Sequence, residues 1–109
     1  MASVMHVVLF KLRDGLDEKK LEELIHNARQ GISGLLELHF GANNMYIHKD
    51  KVILADGNTH ALVSRHEEEK ALEKYLSHPL RQQLARYILA HAERAPTVVN
   101  FNTTVKSHL

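Results

Sequence analysis

The chain contains no cysteine and no tryptophan, and only two of its 109 residues are proline. Without cysteine there is no disulfide framework, no thiolate nucleophile and no zinc–thiolate site; this fits a reducing compartment, and the expected location is cytoplasmic. An excess of either charge is also lacking. Lys and Arg number 14 against 13 Asp and Glu, and the basic residues are scattered rather than gathered in a stripe, so nothing favours nucleic acid as a partner. No apolar run approaches the roughly 18 residues of a membrane span. The N-terminus carries no basic segment followed by an apolar one and a small-residue cleavage site, so no membrane or secretory role is expected.

What is present is enough apolar material, 44% of residues, for one core. Residues 1–109 read as a single domain. A domain of this size has little depth, so a cavity must lie between sheet and helices or against a second copy.

The first strand, from Val4 to Leu12, sets His6, Val8, Phe10 and Leu12 on one face and Met5, Val7, Leu9 and Lys11 on the other. Both faces are largely apolar, which predicts a strand covered on both sides. Asp14-Gly15 ends it. Asp17 then caps a helix that runs to about Gly31, with Leu16 and Leu21 as a hydrophobic staple and Leu21, Leu24, Ile25, Ala28 and Ile32 as its buried stripe. A second strand begins near Leu35, includes Leu38 and Phe40, and stops or bulges at Gly41-Ala42-Asn43-Asn44. Residues 45–58 fit a strand extension, a hairpin or a flap.

Thr59 to Glu67 alternates again, with His60, Leu62, Ser64 and His66 on one face. Glu67 to His78 reads as a helix, and Pro79 opens another that reaches about Arg94, with Leu80, Leu84, Tyr87 and Ile88 inward. Thr97 to Val105 closes the chain as a strand. The order β-α-β-β-α-β predicts an α+β, ferredoxin-like four-stranded antiparallel sheet with helices on one face.

Candidate chemistry centres on Tyr75-Leu76-Ser77-His78-Pro79. A phenol and an imidazole three residues apart lie on one face of a continuous helix, and such a pair can share a proton transfer if a cavity receives it. The plainer reading has both residues packing the helix corner, with the imidazole bonded to carbonyls at the helix end. Nine histidines invite a metal site, and His60 and His66 both face inward, but no i, i+4 helical pair or dense carboxylate cluster supports one. There is no Gly-x-Ser-x-Gly elbow for a serine hydrolase.

The sequence resembles the stress-responsive dimeric α/β-barrel proteins. The resemblance rests on the first strand with His6 and Phe10, on Leu38-His39-Phe40-Gly41, Gly57-Asn58-Thr59-His60-Ala61, Tyr75-Leu76-Ser77-His78-Pro79 and a closing Val98-Val99-Asn100-Phe101, and it spans nearly the whole chain. It implies a homodimer in which two sheets face each other as a barrel with the helices outside. The family includes plant polyketide cyclases related to olivetolic acid cyclase, which close a linear poly-β-ketone by aldol condensation. The resemblance then implies His78 as general base and Tyr75 as acid or relay. His6 and His60 would line the pocket, with Val8, Phe10, Leu62 and Arg81 as further substrate contacts. A neutral imidazole with a pKa of about 6.5 can remove the acidic proton between two carbonyls, so no metal or organic cofactor is required.

This chain departs from the family pattern at four places. Leu80-Arg81 follows the proline where a small residue and a second histidine are usual, which brings a permanent cation and admits an acidic ligand. His66 replaces a phenylalanine, and Phe40 replaces a tryptophan. The segment Met45 to Leu54 is more apolar than a polar loop and is expected to cover the cavity mouth or extend the dimer contact. Two functions follow: a non-enzymatic stress-type dimer holding a small hydrophobic or acidic molecule, or a cofactor-free cyclase or lyase.

Overall fold

The computed structural model describes residues 2–47 and 52–103. Its elements are β1 (Val4–Phe10), α1 (Glu18–Gly31), β2 (Leu35–Ala42), a 3-10 turn (Val52–Ala55), β3 (His60–His66), α2 (Glu69–Ser77), α3 (Pro79–Leu89) and β4 (Thr97–Asn102). The strands form one antiparallel sheet in the order β2-β3-β1-β4. The fold is α+β and ferredoxin-like, as the alternation of strand and helix patterns predicts.

Period-two alternation decides which side is covered. Val4, His6, Val8 and Phe10 of β1 are buried while Met5, Val7 and Leu9 between them are partly exposed, and Leu62, Ser64 and His66 of β3 repeat the pattern. The buried face meets the stripes of the helices: Leu21, Leu24, Ile25 and Ala28 from α1, Leu72 and Tyr75 from α2, Leu84 and Ile88 from α3. The other face carries Met5, Val7 and Leu9 beside Ala61 and Val63 on one side and Val99 and Phe101 on the other. No helix of the described chain covers it.

Asp17 caps α1 as its side chain and position predict, its Oδ1 accepting from Lys19 N at 3.0 Å and Lys20 N at 3.3 Å. Gly34 turns the chain into β2 at φ +85°, where a Cβ would come 2.8 Å from the Ala71 Cβ, so both the backbone conformation and the closeness of α2 exclude a side chain. Strand β2 is an edge strand, bulged between Leu35 and Glu37, and the Arg29 guanidinium donates from both Nε and Nη2 to the Leu38 carbonyl.

The structure departs most from the sequence reading in three places. Helix α3 stops at Leu89 rather than near Arg94, because residues 91–93 pair with the extension of β1: Arg13 N donates to His91 O at 2.8 Å and Glu93 N to Lys11 O at 2.9 Å. Tertiary pairing overrides helical propensity there. Strand β4 ends at Asn102 among the described residues, and the expected end at Val105 lies outside them. Of residues 45–58, Met45–Ile47 form a turn and Val52–Ala55 a 3-10 turn, with neither hairpin nor strand extension among the described residues; 48–51 lie outside them.

Candidate functional site

The residues expected to form one site lie at two ends of the helix-covered sheet face. At the first end, His6 on β1, Ser64 and His66 on β3 and Tyr75 on α2 are each 4% exposed or less. The Tyr75 ring lies 4.6 Å from that of His66 and 6.1 Å from that of His6, and the two histidines stand 6.4 Å apart. His6 Nδ1 donates to Asn100 Oδ1 across the β1–β4 pair at 2.6 Å, which leaves Nε2 as the acceptor nitrogen of the neutral ring. His66 Nε2 and the Ser64 hydroxyl share a hydrogen bond of 2.7 Å. Arg81 reaches in from α3, its Cζ 5.9 Å from the centre of the Tyr75 ring, and it also donates to Leu76 O at 3.2 Å.

The electrostatics of this cluster follow from burial beside one cation. Desolvation lowers the pKa of His6; the Asn100 bond opposes the shift and the Arg81 charge adds to it. Burial, reinforced by His6, pushes His66 down to about 4. Burial raises the Tyr75 phenol, against the pull of the Arg81 charge. The two imidazoles and the phenol are therefore neutral together at pH 7. The Tyr75 hydroxyl and His66 Nδ1 have no hydrogen-bond partner and no solvent contact, so this end is closed to ligand as it stands.

His78 is not part of the cluster. Helix α2 ends at Ser77, and His78 has extended backbone at φ −69°, ψ 135°, so it no longer shares a helical face with Tyr75. Its Nδ1 accepts from Leu80 N at 3.1 Å and caps α3 ahead of Pro79. The imidazole thus serves an amide at a helix start, not carbonyls at a helix end. Pro79 is the cause: the residue before a proline is pushed out of the helical region.

The second end is open. His60 begins β3, stacks on Phe40 at 5.3 Å with 17° between the rings, and bonds through Nδ1 to the Thr59 hydroxyl at 2.7 Å. Burial lowers its pKa as well. On the helix side a cleft of about 510 Å³ runs from His60 and Phe40 over Leu16, Leu21 and Ile25 to a rim carrying Arg13, Asp14, Glu18 and Glu22. On the open side a second recess of about 400 Å³, sharing Gly41, Ala42 and His60, is bounded by Leu9, Ala61, Thr97 and the 3-10 turn. Phe10 lies 6.5 Å from Phe40, and it and the cross-strand pair Val8 and Leu62 are packed core residues between the two ends. Among the described residues no three His, Asp or Glu side chains are grouped to hold a metal ion. No described helix is long and apolar enough to cross a membrane.

Asn100, Ser64 and Phe40 are the partners that sequence reasoning did not assign to the histidines. Asn100 and Phe40 follow from strand register, Asn100 lying opposite His6 and Phe40 pairing with Leu62, two residues from His60; Ser64 meets His66 because the two are alternate residues of β3.

The fold and the sites define a class: a two-layer α+β sandwich with histidines under its helices and an uncovered apolar sheet face. The chain belongs to the stress responsive A/B barrel domain family, whose profile matches residues 4–103. Stress-response A/B barrel domain-containing protein HS1 of Arabidopsis thaliana is 30% identical over 103 residues, covering 93% of this chain and 90% of that protein. Among solved structures, the hydroxynitrile lyase from Passiflora edulis is similar in fold, with a TM-score of 0.72, 20% identity and coverage of 95% of both chains. A dimeric ferredoxin-like protein of unknown function from Thermobifida fusca has a TM-score of 0.67 at 19% identity, covering 92% of this chain and 90% of that one.

Proposed function

We propose that the protein is a homodimeric, cytoplasmic small-molecule-binding member of the family, taking its ligand in the cleft that ends at His60 and Phe40. The cleft carries this reading, since its volume of about 510 Å³ suits a small organic molecule. Its floor of Leu16, Leu21, Ile25 and the Phe40–His60 stack favours a hydrophobic ligand. Three carboxylates on the rim against Arg13 count against an acidic one at this mouth. The uncovered face with Val99 and Phe101 54% and 49% exposed supports pairing of two copies face to face, in keeping with the dimeric relative from Thermobifida fusca. The test is a thermal-shift panel of alkylphenols, β-diketones and short aliphatic acids. Apolar members should stabilise the wild type and not a Phe40→Ala, His60→Ala double variant; equal shifts in both proteins would remove this cleft as the site.

A second reading is a cofactor-free lyase or polyketide cyclase, with His78 as base, Tyr75 as acid or relay and Arg81 against a developing anion. It draws support from the unpartnered Tyr75 hydroxyl and from the lyase of similar fold. In this reading His78 acts through Nε2, because Nδ1 holds the Leu80 amide. The Tyr75 end must also open to admit substrate. Equal turnover of poly-β-ketide thioesters and cyanohydrins by wild type, His78→Ala and Tyr75→Phe would dismiss it.

A further inference from the structure

We propose that the apolar tip Met45-Tyr46-Ile47 is a dimer arm that seats in the recess at the Thr97 end of the second copy's open sheet face, an inference that rests on the face-to-face dimer proposed above. Met45, Tyr46 and Ile47 are 56%, 84% and 69% exposed. They are held in a turn by Asn44, whose Oδ1 accepts from Tyr46 N at 3.1 Å and whose carbonyl accepts from Ile47 N at 3.4 Å. Three consecutive large apolar side chains in water are costly for a monomer and suited to a partner surface.

The surface that fits them is on the same chain. The recess of about 400 Å³ is bounded by Leu9, Ala61 and Thr97 of the open face and by Leu54 and Ala55 of the 3-10 turn, so sheet face and turn form one continuous surface. Tip and recess also lie at the same end of the sheet. The tip follows the end of β2 at Ala42, which pairs with His60, while Leu9 pairs with both Ala61 and Thr97.

Symmetry then selects the contact. A twofold axis parallel to the strands places one sheet over the other with the strand order reversed and keeps equivalent strand ends together. Strand β2 of one copy then lies across β4 of the other, and a tip leaving β2 falls over the partner's Leu9 and the partner's Thr97. An axis across the strands would carry it instead to the end marked by Met5 and Phe101. Under the first arrangement each copy supplies one tip and one recess, as an isologous interface requires. A second copy therefore satisfies both features at once.

The absence of cysteine makes the test clean. Ile47→Cys and Thr97→Cys proteins carrying tags of different size are made separately, mixed to exchange subunits and oxidised; a disulfide-linked heterodimer is expected. A Tyr46→Asp, Ile47→Asp double variant with unchanged far-UV circular dichroism should dimerise at least ~10-fold more weakly by sedimentation equilibrium. No cross-link in a mixture that remains dimeric, or wild-type dimer affinity in the double variant, overturns the arm. Co-flotation with phosphatidylcholine vesicles that is lost in the double variant would assign the tip to a lipid surface and overturn it too. The face-to-face dimer fails separately, if Val99→Asp remains dimeric or if wild type is monomeric throughout.

Discussion

His66 and His60 stand at the end and the start of the same strand and point to the same face of the sheet, yet one is sealed and the other borders a cleft. His66 is covered because Tyr75, the largest fully buried side chain, lies across it from α2 and His6 lies beside it from β1. At the His60 end the cover comes from the start of α1 and the Arg13–Leu16 turn, which stand off far enough to leave a cleft. Residue type and strand face therefore do not make a site. What makes one is whether the opposing helix brings a side chain long enough to fill the gap.

The comparison can be broken most forcefully at Tyr75. Tyr75→Ala should cost about 3–5 kcal/mol in urea unfolding, because the removed ring leaves a cavity among packed neighbours. Loss of less than 1 kcal/mol would mean that this end is not the closed one.

Acid tests the same end by charge. His66 titrates at about 4 in the folded protein against 6.5 for the free group, so below pH 6.5 the unfolded chain takes up a proton that the native state refuses. Stability contributed by this group is whole above pH 6.5 and falls as pH drops towards 4, by about 2–3 kcal/mol from His66, with His6 acting in the same direction. A His66→Phe protein should lose most of this dependence between pH 6.5 and 4, measured by urea unfolding at each pH. An unchanged slope would contradict the burial argument.

Asn100→Ala is a smaller perturbation. It strips His6 Nδ1 of its acceptor and should destabilise by about 1–2 kcal/mol in the same unfolding assay. Smallest in stability is His60→Ala, expected to cost about 1 kcal/mol or less because the ring is only partly buried and lines a cleft. The two ends are sharply distinguished if that variant unfolds like wild type while losing the ligand-induced thermal shift.

Much of this fold can be read in the sequence because two periodicities are clean. Alternation from Val4 to Phe10 and from His60 to His66 assigns strand faces, and the Leu21, Leu24, Ile25, Ala28 spacing with Asp17 ahead of it assigns α1 and its cap. The candidate site is less legible. The spacing from Tyr75 to His78 assumes an unbroken helix, and Pro79 converts His78 into a cap with its ring on Leu80. Asn100 looks like any polar residue in a closing strand until register places it opposite His6. The end of α3 was hidden because Ala92 bridges to Leu12, eighty positions earlier, and no local pattern encodes that pairing.

The Arg29 clasp on the Leu38 carbonyl bears on how far assembly can go. An edge strand with free carbonyls is a rail on which further strands can be laid, copy after copy. With a guanidinium seated on that rail and a bulge beside it at Leu36, β2 resists extension sideways. Growth in the plane of the sheet is hindered at this edge, while β4 forms the other, and the open face is left as a surface for a partner. The protein thus carries, in one arginine on its first helix, a stop signal that favours a finite particle over a fibre.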